Sequence, residues 1–435
     1  MHQHDERVSL ATIATGWLRI GVTGFGGPPA HIAMFRSLCV DRHQWLTAPE
    51  FEDAIAATNL LPGPASTQLA IYCAWRLRGR TGAILGGLCF IVPGLILILG
   101  LASVFLASHP PSWILGAAAG AGAAVPAVAA HAADGLRKPS WHRAGESGRR
   151  ARWLVYASAG VLGAIFVGAS LVLLIVGLGV AEVLLTHTRG NGAGPRGHRA
   201  ILTWPVATVT PLISGGVAAL AWVALKVGAL SYGGGFVIVP LMQHDAVVTY
   251  HWMTGGQFLD AVALGQITPG PVVQTVAVVG YAASGLGGGL LAALVAFTPS
   301  FLFILLGARH FNRIRTAPRI QAFFFGAGAT VIGAIAGSAV TLALEWQHLW
   351  QVGLAVVAAG GLFLLGRSVV LVLLFCAAAG IVASLVGWPT RAPSTGLAAP
   401  GPPGLFQSIT PDWRRTRRVP VRQESVFFIR GSGHK

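Results

Sequence analysis

Charged residues are scarce in this chain: Asp, Glu, Lys and Arg make up 10% of its 435 residues, against roughly 25% in an ordinary soluble domain. A 45 kDa globule with so little charge could not cover its own surface, which argues against a soluble enzyme. Cysteine is scarcer still. Cys39, Cys73, Cys89 and Cys376 show no paired spacing, so neither a disulfide framework nor a zinc site is supported. The sequence has no Walker loop, GxGxxG, HExxH or Ser/His/Asp pattern, so an enzyme and an ATP-driven pump are both disfavoured, and no cofactor or metal is expected. The alternating ten-residue segments of a β-barrel are missing as well.

What is present is hydrophobic sequence, 54% of the chain, with 58 Gly and 25 Pro set among long apolar runs. The class left standing is an all-α polytopic membrane protein. Runs long enough to cross a bilayer fall at 8–25, 51–75, 82–107, 112–133, 153–186, 209–232, 256–281, 284–306, 320–342, 349–366 and 368–388. Segment 153–186 has room for a tight hairpin, so the expectation is about eleven to thirteen helices. The N-terminus is acidic as well as basic and its apolar stretch runs on, so it reads as a retained helix rather than a signal peptide. Composition divides the chain into 1–187, a hydrophilic linker 188–208, a second unit 209–388, and a Pro- and Arg-rich tail 389–435 expected to be disordered outside the bilayer.

The net charge of +16 could point to nucleic acid, but its distribution does not. Basic residues gather in short loops (Arg76, Arg78, Arg80; Arg149, Arg150, Arg152; Arg309, Arg313, Arg315) and in the tail. Such clusters beside spans set membrane topology, and no nucleic-acid partner is expected.

An internal repeat carries most information. Shifted by 207, residues 18–64 align on the second half without a gap. Leu18-Arg19-Ile20-Gly21 falls on Leu225-Lys226-Val227-Gly228, Gly26-Gly27 on Gly233-Gly234, and Trp45 and Thr47 on Trp252 and Thr254. Phe51 and Asp53 fall on Phe258 and Asp260, and Pro62-Gly63-Pro64 on Pro269-Gly270-Pro271. Apolar sequence matches itself by chance in Leu, Ala and Val, but not in Trp, Asp and a PGP triplet together. Loop charge suggests how the copies are oriented. Loop 76–80 is basic where 283–287 is neutral, whereas 108–112 carries no Lys or Arg where 309–319 carries four Arg. Opposite bias in equivalent loops implies inverted-topology repeats.

The two triplets interrupt membrane-length segments with prolines that cannot donate backbone hydrogen bonds. Irregular backbone at that depth is tolerated only inside protein or against a wet cavity, and a matched pair of broken helices points to a transport site. A packing kink is the plainer alternative. Gly24 to Pro29, including Gly26, Gly27 and Pro28, and the matched Gly233-Gly234-Gly235 would leave backbone N–H groups at helix ends, suited to an oxyanion. Arg19 and Lys226 are intramembrane bases placed to hold a dianion, unless they snorkel to the interface. Asp53 and Asp260 are candidates to carry protons or to pair with those bases, and simple helix-end charges are the equal alternative. Gln68 and Gln266, beside the breaks, could hydrogen-bond substrate or make polar helix–helix contacts, and His31, whose counterpart is Ile238, could act on one side only. Glu182 has no repeat partner and no assigned role.

These motifs resemble a known family. Phe25-Gly26-Gly27-Pro28-Pro29-Ala30-His31-Ile32, Leu61-Pro62-Gly63-Pro64 and Gln68-Leu69-Ala70-Ile71-Tyr72 are similar to the N-terminal signature of the chromate ion transporter family. Gly233-Gly234-Gly235 with Pro240-Leu241, then Gln266-Ile267-Thr268-Pro269-Gly270-Pro271, is similar to the C-terminal one. The likeness covers roughly 8–388 and fits the long, two-domain form. It departs at Val272-Val273-Gln274-Thr275, less aromatic than the family pattern, and in the tail 389–435. The resemblance implies a multi-pass carrier of the bacterial inner membrane that exports chromate, driven by the membrane potential or by protons. The residues leave open another anion such as sulfate or an organic acid, a non-transporting scaffold or receptor, and the oligomeric state, a homodimer included.

Overall fold

The structure is a computed structural model that describes residues 8–61, 63–107, 110–167, 170–190, 216–231, 238–307 and 317–389. Fourteen α-helices are found among the described residues, and no strand. The first half holds α1 (Leu10–Thr23), α2 (Gly27–Arg36), α3 (Ala48–Leu60), α4 (Ala65–Phe105), α5 (Ser112–Glu146), α6 (Arg150–Phe166) and α7 (Leu171–Gly190). The second holds α8 (Val217–Leu230), α9 (Ile238–Gln243), α10 (Gly255–Ile267), α11 (Thr275–Gly307), α12 (Pro318–Ala343), α13 (Leu349–Ala359) and α14 (Val369–Leu385). Pro62, Gly233, Gly234 and Gly235, the linker 191–208 and the tail beyond 389 lie outside the described residues.

The repeat is visible in backbone detail. α1, α3 and the π-helical turn Ser37–Arg42 recur 207 residues later as α8, α10 and the π-helical turn His244–Thr249, with the same lengths. α3 and α10 start on the same capping box. Thr47 accepts from the Glu50 amide while Glu50 accepts from the Thr47 amide, and Thr254 and Gln257 do likewise. Gln44 and His251, each shortly before its box, share a φ of 51°. Beyond the triplets the offset becomes 206. α4 kinks at Arg78–Gly79 and α11 at Ser284–Gly285, and Pro93 matches Pro299. Gly79 (φ 62°, ψ −146°) and Gly285 (φ 65°, ψ −156°) occupy a region open in practice only to glycine.

Among the described residues, four helices are long and apolar enough to cross a membrane: α4, α5, α12, and α11 together with the turn preceding it. Several expected spans take a different form. Segments 51–75 and 256–281 are each two helices separated by a triplet, and 153–186 is the hairpin α6–α7. Segment 8–25 yields the 14-residue α1, about 21 Å long and short of a 30 Å hydrocarbon core. Outward faces carry large apolar side chains such as Ile96, Leu154, Leu294 and Phe375, as expected of helices that meet lipid.

Packing between the halves is reciprocal. α4 and α11 lie against each other at the centre, with α1 on α4 and α8 on α11. α5 of the first half packs on α13 and α14 of the second, and α12 of the second packs on α6 and α7 of the first. Small residues allow close approach of backbones. A Cβ on Gly116 would meet the Gly380 carbonyl (α5 on α14), and one on Gly333 would meet that of Ala157 (α12 on α6).

Candidate functional site

The two breaks are built alike. α3 ends at Leu60 and Leu61 turns extended (ψ 144°); α10 ends at Ile267 and Thr268 turns extended (ψ 145°). Gly63 and Gly270 follow with φ of +124° and +90°, where any side chain would be strained. Pro64 then opens α4, and Pro271 opens α11 through the short turn Val272–Gln274. Each triplet therefore ends one helix and exposes the N-terminal amides of another, an arrangement that favours negative charge.

Each break also faces the residue that follows the helix-interior proline of the opposite half. Gly94, next to Pro93 in α4, lies so close to the second triplet that a Cβ would strike the Pro269 carbonyl and come within 2.5 Å of Gln274 Oε1. The Gln274 side-chain amide donates to the Ile91 carbonyl at 2.8 Å. Ser300, next to Pro299 in α11, stands over the first triplet, its Oγ 3.2 Å from a Cβ built on Gly63. Gln68 folds back over the same glycine, with Nε2 at 2.5 Å from that position. Both breaks, with Gly94 and Ser300, thus belong to one contact between α4 and α11.

The first glycine cluster joins it. Gly26 (φ +100°) and Gly27 (φ +72°) break the chain between α1 and α2, and Pro28 sits in the first turn of α2. The Gly270 amide donates to the Gly24 carbonyl at 3.0 Å. In its Nε2-protonated form His31 donates to the same oxygen at 2.9 Å, its ring edge-on to Phe90 at 5.1 Å. Gly27 faces Val272, 3.7 Å from a Cβ placed there.

Buried polar atoms collect around this junction without a hydrogen-bond partner among the described residues: Thr67 Oγ1 and Ser300 Oγ at the first break, Gln274 Oε1 and Gln266 Nε2 at the second, and His31 Nδ1. Ser231 Oγ, at the end of α8, is another. An unpaired buried polar atom costs about 1–3 kcal/mol. Of these atoms the hydroxyls and the Gln266 amide can donate hydrogen bonds, and Gln274 Oε1 and His31 Nδ1 can accept them.

The charges fall unequally. Lys226 is buried on α8 and ion-paired with Asp245, also buried. Its counterpart Arg19 lies on the exposed face of α1. Asp53 is exposed on α3, whereas Asp260 is partly buried on α10, where a Cβ on Gly122 of α5 would lie 2.7 Å from its Oδ1. The carboxylate ion-paired with Lys226 is Asp245. Glu182 is fully buried and holds Arg149 at 3.3 Å, Arg152 at 3.0 Å and the Tyr156 hydroxyl at 2.9 Å. Among the described residues no group of three or more His, Cys, Asp or Glu could hold a metal ion.

Sequence reasoning missed Asp245, Thr67, Gln274, Ser300 and the helix-interior prolines. Pro93 and Pro299 could have been found by letting the repeat slip one residue after the triplets. Asp245 could not, because its matched residue is Leu38.

The profile of the family described as "Chromate transporter" matches residues 11–183 and 218–381. A chromate transport protein of Cupriavidus metallidurans is 35% identical over 344 residues, 77% of this chain and 83% of that one. One from Pseudomonas aeruginosa is 32% identical over 400 residues, covering 88% and 92%, and a probable chromate transport protein of Synechococcus elongatus is 29% identical over 354, covering 80% and 88%. No solved structure matches. The chain belongs to the chromate transporter family, in its long form with two family segments, and is a multi-pass membrane protein of a transporter family rather than an enzyme family.

Proposed function

We propose that this protein is a secondary carrier that exports chromate across a bacterial inner membrane by alternating access. The observation that carries the reading is the reciprocal seating of each proline–glycine break against the proline-containing helix of the other half, with buried donors around it that have no partner among the described residues. A tetrahedral oxyanion presents acceptors only, and the hydroxyls of Thr67 and Ser300, the amide of Gln266 and the helix N-termini supply donors. Lys226 adds positive charge from within, and Arg19 draws anions to the surface of α1. Gly26, Gly27, Pro28 and His31 close one side; Gly233–Gly235, outside the described residues, match Gly26–Pro28 in the repeat by sequence. The substrate class comes from the relatives, which are named for chromate transport.

The inverted relation of the halves is part of the same reading. Arg76, Gly79 and Arg80 share a hollow of about 580 Å³ with Leu305 near the end of α11. Arg149 and Arg319, from opposite halves, share one of about 520 Å³. Basic residues of both halves gathering near the α11–α12 connection is what inverted repeats produce under the positive-inside rule.

Alternating access needs two packings of one frame. α10 lies along α5, with Leu259 and Asp260 on Gly122. Among the described residues α3 makes no comparable contact with α12. Yet α12 carries Gly326-Ala327-Gly328-Ala329, the match of Gly120-Ala121-Gly122-Ala123. The second state exchanges the α10–α5 contact for α3 on α12, carrying Asp260 out and Asp53 in, and these aspartates are the proton-coupling pair.

Neutral hydroxyl and amide donors suit sulfate as well as chromate, so sulfate is the second reading. Chromate accumulation in everted vesicles, with an uncoupler and with excess sulfate, tests both. The proposal expects uncoupler-sensitive accumulation that sulfate barely inhibits. Accumulation abolished by equimolar sulfate would reassign the substrate.

A further inference from the structure

We infer that Asp245 is an internal counter-anion: it occupies Lys226 when the carrier is empty, and a doubly charged oxyanion must displace it to bind. The inference rests on the reading of the chain as an oxyanion carrier and deepens it.

Lys226 and Asp245 are 7% and 3% exposed and directly ion-paired. Taking two charges from water costs several kcal/mol per ion, and replacing such a pair by neutral groups is often neutral for stability or better. Folding alone therefore does not demand the pair. The repeat makes the same point within this molecule. At the matched positions the first half has Arg19 and Leu38, the base exposed and the carboxylate absent. The helix and the π-helical turn nevertheless form with the same lengths, 14 and 6 residues, in both halves. In the first half Leu38 simply packs on the preceding turn of α1, 3.1 Å from a Cβ built on Gly16. The architecture thus forms without the carboxylate, and a buried ionisable pair it does not need is a candidate for the transported charge.

The chemistry follows from charge balance. Lys226 is the buried base of the matched pair, with the Trp222 ring 5.9 Å from its Nζ as a further, weaker neighbour. While Asp245 holds it, the pair is neutral and offers no net attraction to an anion. A dianion binds an ammonium group more strongly than one carboxylate does, so it can exchange for Asp245, whereas a monoanion gains little. When the substrate leaves, the carboxylate returns, which hastens release and spares the empty carrier a bare buried charge. Ser231, at the end of the same helix, has a buried hydroxyl with no hydrogen-bond partner among the described residues.

The test is sulfate and chromate binding by calorimetry to the full-length protein in lipid nanodiscs, with thermal melts to confirm folding. Asp245→Asn should bind both dianions about tenfold more tightly than wild type, and Lys226→Gln/Asp245→Asn should melt like wild type and bind neither. Wild-type affinity in the folded double variant would overturn the inference, because the pair would then be a structural contact only; that arm decides the matter even if the single variant does not fold. Wild type binding sulfate but not chromate would fail the chromate assignment while leaving the counter-anion intact. Wild type binding neither would remove the carrier reading and the inference with it.

Discussion

The backbone amide of Gly270, in the second half, donates to the carbonyl of Gly24, in the first, at 3.0 Å. Those residues are 246 apart in sequence, and the bond ties the end of α1 to the break that opens α11. A broken helix needs its free amides and carbonyls satisfied somewhere, and here they are satisfied partly across the boundary between the copies. The consequence is that the break opening α11 is held in part by the first half.

The break glycines should resist substitution through backbone conformation. Gly63→Ala and Gly270→Ala place a side chain at φ of +124° and +90°, a cost of about 1–2 kcal/mol each. Gly63→Ala also collides with Gln68. Lowered melting temperature together with loss of chromate export is expected in both. Unchanged melting and export would show that the breaks relax freely.

Disulfide trapping should reveal both packings. Gly122→Cys with Leu259→Cys places two Cβ atoms about 3.4 Å apart, close to disulfide geometry. The repeat-matched pair, Glu52→Cys with Gly328→Cys, should cross-link only in the exchanged state. In a background without the native cysteines, both pairs should oxidise, and each should block transport until reduced. Failure of the second pair to cross-link in turning-over protein would count against the exchange.

Much of this was legible in the sequence and some was not, for identifiable reasons. The triplets and the matched Thr47 and Thr254 stand out because Pro, Gly and Thr there serve the backbone, so both copies keep them. Gly94 and Ser300 occupy matched positions but differ in type, since one must admit the Pro269 carbonyl and the other has room for a hydroxyl. They also lie past the single-residue slip that ends the gapless match. Asp245 is invisible to a repeat comparison because only the second half has it. The unequal exposure of Arg19 and Lys226 is a tertiary property that their identical setting in sequence conceals.

Glu182 should matter for stability rather than for transport. Removing its charge strands Arg149 and Arg152 beside a buried neutral group, so Glu182→Gln should destabilise by about 3–5 kcal/mol. Chromate export per folded molecule should stay near wild type. A stable variant with altered export would place Glu182 in the transport path.

The most direct measurement is the initial rate of chromate accumulation in energised everted vesicles holding equal amounts of wild type and of Gly94→Ala. The added methyl group meets the Pro269 carbonyl, an overpacking of about 1–3 kcal/mol placed at the contact between the halves. Uncoupler-sensitive accumulation by wild type and little or none by the variant is the expected result. No accumulation by wild type, or an undiminished rate in the variant, would contradict chromate export through a site shared by the two halves.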